Sequence, residues 1–381
     1  MRLRSYLLSA ESILLQYNGA IPFASWLKNY FRENKKFGSK DRRAITDLCY
    51  CYFRLGKAFP DCSSEERFII GQFLCHDKSL FVQEVKPEWL LSPSLSIAER
   101  LQIVGGRNEV SNFPFIEDVS HEIEEKKFSL SHLIQPDLFL RIRPNKMHVV
   151  LEKLKQASLH FSVEGDVVRL PISSKVDEII ALDQDAVVQD KSSQQVLNPL
   201  KETWSKDSFT AWDCCAASGG KSILLHDLFP KAQMTVSDIR ESILHNLKHR
   251  FGRAGIQQYN SFVADVSSPA FRSTKKYDVI ICDAPCSGSG TWGRTPEQLT
   301  YFTSDRIDHY ASLQKHIALN ASKSLKGAGA FVYITCSVFA KENEDVVEYI
   351  LQNTSMKLER QQYFKGYTEK ADTLFAALFT L

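Results

Sequence analysis

No run of about 18 apolar residues occurs in this 381-residue chain, so a membrane-spanning helix is not expected. The opening stretch, MRLRSYLLSAESILLQY, breaks its apolar positions with Ser, Glu and Gln at helix-like spacing, which argues against a secretory signal. No CxxC pair is present, and the nine cysteines are odd in number and scattered. They do not read as a disulfide framework, and the reducing cytosol is the expected compartment. Cys49, Cys51, Cys62, Cys75 and His76 lack paired metal-ligand spacing, so no metal is expected. Internal repeats and low-complexity linkers are also missing. A net charge of +2 is too small to imply nucleic acid, while 44% hydrophobic and 24% charged residues are ordinary for globular proteins. Length alone points to two or three domains.

The charge that is present is unevenly placed. Between Lys28 and Arg43 seven basic residues, among them Lys35, Lys36, Arg42 and Arg43, alternate with Tyr30, Phe31 and Phe37. Phosphate contacts with stacking aromatics would have this pattern, and so would a solvated helix face whose aromatics pack inward. Residues 1–133 carry helical periodicity, punctuated in their second half by Pro87, Pro93, Gly105, Gly106 and Pro114, and are expected to be a helical domain. Residues 134–187 read as a small α/β module: a strand (LFLRIRP), a helix (MHVVLEKLKQAS), a strand (LHFSVEGDVVRLP) and a further extended stretch. From 188 to 381 strands and helices alternate, which predicts a parallel sheet covered on both faces.

In that last segment the first strand, FTAWD, ends at Asp213 and runs through CCAASGGKS into a helix. A glycine-rich turn at a strand's carboxyl end is where an open α/β sheet binds its ligand, and Gly219 and Gly220 are expected to let the backbone approach it. The second strand ends at Asp238, 25 residues after Asp213, where a carboxylate can accept from ribose hydroxyls. The third ends at Asp265, beside an expected adenine edge, and the fourth at Asp283. This first turn has neither GxGxxG nor GxxxxGK[ST], so a cofactor without a pyrophosphate is expected.

Two cysteines end strands on the same rim: Cys286 in DAPCSGSG and Cys336 in YITCS. Carbon 5 of cytosine is a poor nucleophile. A thiolate that adds to the neighbouring ring carbon makes it reactive, and a second group, whether thiol, carboxylate or water, must then help to undo the adduct. Cys282 and Cys214 read as packing residues.

These motifs resemble the Sun/Fmu (RsmB-like) family of RNA cytosine carbon-5 methyltransferases. CAASGGK, from Cys215 through Ala216, Ala217, Ser218, Gly219 and Gly220 to Lys221, is similar to the family's cofactor loop, although Ser218 stands where the family usually has proline. SDIRES, Asp265, DAPCSGSG and ITCSVFAKENEDVV match further family motifs. The resemblance implies a Rossmann-like domain with a mostly parallel seven-stranded sheet, S-adenosylmethionine as cofactor, Cys336 as nucleophile, Cys286 in product release, and Asp283 at the reacting centre. FGSKDRRAITDLCY resembles the NusB-like RNA-binding domain of some members, which favours ribosomal over transfer RNA as partner. Arg294 in GRTPEQ is an expected RNA contact. A monomer suffices for this chemistry. The competing reading is an RNA-binding ribosome-assembly factor with little activity.

Overall fold

The computed structural model describes residues 2–90, 95–105 and 110–381; Pro93 and Gly106 lie outside them. The chain divides into two compact units: residues 1–119, 123–135 and 291–304 in one, and 120–122, 136–290 and 305–381 in the other. Among the described residues no helix is long and apolar enough to cross a membrane.

The first unit is built on α1 (Arg2–Gln16), α2 (Phe23–Glu33), α3 (Ser39–Arg54) and α4 (Ser64–Cys75). Ser63 starts α4 with a reciprocal cap: its hydroxyl accepts the Glu66 N–H, and the Glu66 carboxylate accepts the Ser63 N–H at 2.8 Å. Apolar positions at helical spacing bring Ala10, Ile13, Phe23, Ile45, Leu48, Phe53 and Phe68 into one core. In the basic segment Phe31 is buried and Phe37 packs against the same core, so these aromatics face inward rather than outward. Lys35, Lys36 and Arg43 are exposed, and Arg42 is half-buried, its guanidinium 5.6 Å from the Phe31 ring.

Residues 291–304 lie far along the chain yet belong to this helical unit. The Phe23 N–H donates to Glu297 Oε1 at 3.1 Å, the Tyr301 hydroxyl to the Tyr17 carbonyl at 3.0 Å, and the Trp292 ring stacks on Phe113. Arg294, an RNA contact expected from sequence, is therefore part of this unit and half-buried.

The second unit contains two sheets. Strands β1 (Leu138–Ile142), β2 (Ser162–Glu164), β3 (Val167–Leu170) and β4 (Ala186–Val188) form an antiparallel sheet in the order β2-β3-β1-β4, with the helix Met147–Gln156 contributing Val150 and Leu154 to its core. The single strand expected over LHFSVEGDVVRLP is two, separated at Gly165, whose φ of +57° makes the turn that a side chain would resist.

The larger sheet has β5 (Thr210–Asp213), β6 (Gln233–Asp238), β7 (Tyr259–Val263), β8 (Tyr277–Asp283), β9 (Leu325–Thr335), β10 (Lys357–Lys365) and β11 (Thr373–Thr380) in the order β10-β11-β9-β8-β5-β6-β7. Strands β5 to β9 are parallel, and β10 and β11 add an antiparallel edge. This is the mixed, mostly parallel seven-stranded sheet expected for a Rossmann-like domain. Strand order reverses between β5 and β8, and the carboxyl ends of strands at such a reversal are where open α/β sheets bind ligands. Trp212 on β5 is fully buried and donates to Ser237 on β6 at 3.0 Å, which ties together the two strands that lead into that crevice.

Glu297→Ala is expected to leave the buried Phe23 N–H without its acceptor and to lower the stability of the helical unit by about 1–3 kcal/mol. Chemical denaturation followed by tryptophan fluorescence checks this; an unchanged midpoint would contradict the role given to residues 291–304.

Candidate active site

The crevice begins at the loop leaving β5. Ala217 has φ +46°, a left-handed conformation uncommon outside glycine, and its N–H donates to Asp238 Oδ2 at 3.0 Å. The carboxylate that ends β6 thus holds the loop that ends β5. Asp238 Oδ1 accepts the Arg240 N–H at 3.0 Å and its exposed guanidinium at 3.1 Å. Gly219, at φ +84°, sits so close to the helix Glu241–Ala254 that a Cβ would come within 2.9 Å of Phe251 and 3.0 Å of Leu247. Its bareness therefore serves helix packing, which differs from the expected role of admitting a ligand. Gly220 begins the helix Gly220–Leu228 in open space, with 3.9 Å to its nearest neighbour. Ser218 is held from outside: Arg250 Nη1 donates to its carbonyl at 3.1 Å and its hydroxyl at 3.0 Å, while Nη2 of the same guanidinium donates to Asp183 at 2.7 Å.

The four acidic strand ends do different work. Asp213 is buried and accepts the Ser222 hydroxyl at 2.6 Å, while its other oxygen has no partner. Burial pushes its pKa up to about 7, so it is a helix anchor turned away from the cavity. Asp265 is exposed, and its Oδ1 accepts the N–H and hydroxyl of Ser267 in the turn after β7. Asp283 Oδ2 accepts from Lys221 Nζ at 2.8 Å. Burial alone would lower the lysine's pKa, but the facing Asp283 carboxylate raises it, so the ammonium stays charged.

Cys286 follows β8 and Cys336 ends β9, and since β8 and β9 are parallel neighbours their ends converge. The two sulfurs are 3.3 Å apart, and the Cys336 N–H donates to Cys286 Sγ at 3.4 Å. The hydrogen bond to Cys336, burial and the Cys336 and Glu342 charges push the Cys286 thiol well above its usual range, which keeps it a proton donor. Lys221 and Cys336 line the same cavity. A cavity of about 530 Å³ is lined by Cys215, Asp238, Asp265, Asp283, Cys286 and Cys336 among others. Cys215, Ala217 and Lys221 of the loop, three of the four acidic strand ends and both thiols thus share one chamber, while Ala216, Ser218, Gly219 and Gly220 do not line it.

Residues 195–376 match the model of the family described as 16S rRNA methyltransferase RsmB/F. Over that segment the chain is similar to the RsmB/F methyltransferase family. It is 30% identical over 198 residues to the ribosomal RNA small subunit methyltransferase B of Xanthomonas campestris pv. campestris, covering 51% of this chain and 44% of that protein. The chain spans about half the length of the curated relatives it matches. Among solved structures, PH0851 aligns with a TM-score of 0.69 at 19% identity, covering 92% of this chain and 93% of that one. A methyltransferase homolog protein from Pyrococcus horikoshii aligns at 0.56 and 19%, covering 80% and 99%. At such identities the likeness is one of fold.

The two thiols are held in place by a residue that the sequence motifs did not single out. Glu342 is fully buried and accepts three kinds of donor: the Ser287 N–H at 2.9 Å, the Gln314 amide at 2.9 Å and the Ser337 hydroxyl at 2.8 Å. Ser287 follows Cys286 and Ser337 follows Cys336, so one carboxylate clamps both thiol-bearing loops. Burial raises its pKa, and these hydrogen bonds oppose the rise. Gly290 brings the loops closer still: its N–H donates to the Cys336 carbonyl at 2.9 Å, and a Cβ there would meet the Thr373 carbonyl at 2.0 Å. The one available signal was an acidic residue inside the otherwise apolar and small-residue context of ITCSVFAKE.

Glu342→Gln supplies one acceptor oxygen where three donors converge, and is expected to lower turnover at least tenfold with cofactor affinity nearly unchanged. Steady-state methyl transfer alongside calorimetric cofactor titration tests this; equal losses in both would contradict a clamp confined to the thiols. Asp213→Asn tests the buried acid. With a folded pKa near 7 and an unfolded one near 4, the folded state holds the extra proton, so wild-type stability falls as pH rises through that window. The melting-temperature advantage of the variant should therefore grow by several degrees from pH 5 to pH 8, and a constant difference would refute the assignment.

Proposed function

We propose that this chain is an RNA methyltransferase that forms 5-methylcytosine in ribosomal RNA, with S-adenosylmethionine as its cofactor. The observation that carries the reading is the pair of sulfurs 3.3 Å apart in the same chamber as the cofactor loop. The chamber suits the cofactor: its volume of about 530 Å³ is in the range of small-molecule sites, and its acidic strand ends suit ribose hydroxyl donors and a sulfonium cation better than a pyrophosphate. The loop Cys215–Lys221 with Asp238, Asp265 and Asp283 would hold it. When bound there, S-adenosylmethionine would supply an electrophilic methyl group.

Cytosine must leave its stack to reach the thiols. Cys336, as thiolate beside the Lys221 ammonium, bonds to carbon 6, and the electron pair of the carbon 5–carbon 6 double bond becomes available at carbon 5. Once carbon 5 carries the methyl group, its proton passes to Asp283 or a water in the chamber. The double bond then re-forms and the carbon 6–sulfur bond breaks. The Cys286 thiol donates its hydrogen bond to the departing Cys336 sulfur, which favours elimination. A protonated Cys286 and a thiolate at Cys336 are the charge states that fit these two roles. Exposed Lys35, Lys36 and Arg43, with Arg42 and Arg294, are candidates for phosphate contacts.

The test is methyl transfer from labelled S-adenosylmethionine to ribosomal RNA lacking the modification. Wild-type protein should yield labelled 5-methylcytosine, Cys336→Ala none, and Cys286→Ala a protein–RNA complex that survives denaturation. Cofactor binding without labelling of any RNA would instead favour an assembly factor.

A further inference from the structure

Away from the catalytic chamber, the helical unit gathers Asp47, Cys51 and His76 so that one donor atom from each lies within 4.8 Å of the others. Cys51 Sγ is 3.4 Å from His76 Nε2, and that nitrogen is 3.0 Å from both Asp47 oxygens. A tetrahedral zinc ion with ordinary bond lengths holds neighbouring sulfur and nitrogen ligands about 3.5 Å apart and nitrogen and oxygen ligands about 3.3 Å apart. The observed 3.4 Å and 3.0 Å lie within a few tenths of an ångström of these ligand-shell spacings.

Local structure explains the convergence. Asp47 and Cys51 are one turn apart on α3 and share a face. On α4, Gly71 lies so close to α3 that a Cβ would be 2.7 Å from the Cys51 carbonyl oxygen, and this approach brings Gln72, Cys75 and His76 to that face. The Gln72 amide is oriented by Ser79, whose hydroxyl donates to Gln72 Oε1 at 2.9 Å; its Nε2 then donates to Asp47 Oδ2 at 2.6 Å and to Cys51 Sγ at 3.4 Å. One fixed donor serving a carboxylate and a sulfur is the outer support that metal ligands receive. Cys51 is buried, while the Asp47 and His76 side chains are 46% and 37% exposed, which leaves an ion a route from solvent. An Asp–His ion pair by itself would need neither the oriented glutamine nor the buried thiol.

We propose that Asp47, Cys51 and His76, with a water molecule completing the tetrahedron, form a zinc site that braces α3 against α4. This reverses the expectation drawn from cysteine spacing, because the ligands come as two residues four apart on one helix and a third at the end of another.

The experiment uses the full chain, purified under reducing conditions, loaded with zinc and dialysed against zinc-free buffer. One equivalent of zinc should remain, and cobalt in its place should show thiolate-to-cobalt absorption with the visible bands of a tetrahedral ion. Cys51→Ser and His76→Ala should abolish both signals, Gln72→Ala should weaken affinity about tenfold or more, and Cys62→Ser should change nothing. Should Cys51→Ser fail to fold, wild-type protein still decides: chelation should lower the melting temperature by several degrees and added zinc should restore it. No retained metal, retention unaltered in Cys51→Ser, or a melting temperature indifferent to zinc would each overturn the proposal.

Discussion

The contact between Cys286 and Cys336 depends on a buried carboxylate. Burying Glu342 costs several kcal/mol unless donors replace the water it loses, and the donors that do so come from the residues next to each thiol. The same hydrogen bonds that make the buried acid tolerable fix the sulfurs 3.3 Å apart. Strands β8 and β9 bring the two loops to one rim, but strand pairing alone would leave side chains several ångströms of freedom. The clamp removes it, and Gly290 allows the backbone to close over Cys336.

A second set of contacts steadies the loop that leaves β5. Ala217 is anchored from the β6 side by Asp238, and Ser218 from the opposite side by Arg250, which also binds Asp183 in the small α/β module. Arg253 joins Asp183, and Arg141 and Arg143 of the module pair with Asp227 on the helix that the loop opens. The module therefore braces the loop through buried ion pairs. Proline would stiffen position 218 through its fixed φ; here a guanidinium provides the restraint to a serine that has two acceptors for it.

The parallel strands, their order of appearance and the acidic residues ending them were legible in the sequence, since a buried strand shows as an apolar run and its end as the first polar residue. The thiols were legible because two cysteines followed by small polar residues closed two such runs. Other features depend on contacts remote in sequence. Asp213 looks like Asp238 and Asp283 in the chain, and only the fold turns it inward toward Ser222. Gly219 is demanded by Phe251, more than thirty positions later, and residues 291–304 belong with helices formed at the start of the chain. The aromatics of the basic segment show the limit of composition: the same alternation suits an RNA surface and an amphipathic helix, and packing of Phe31 and Phe37 decided for the core.

The central claim is that Cys336, and not Cys286, bonds to the base. RNA carrying 5-fluorocytidine at the modified position tests it directly, because fluorine cannot leave carbon 5 as a proton does and the adduct is trapped after methylation. Digestion and mass spectrometry of the trapped complex should find the nucleotide, with its added methyl group, on the peptide containing Cys336; the adduct on Cys286 would contradict the account.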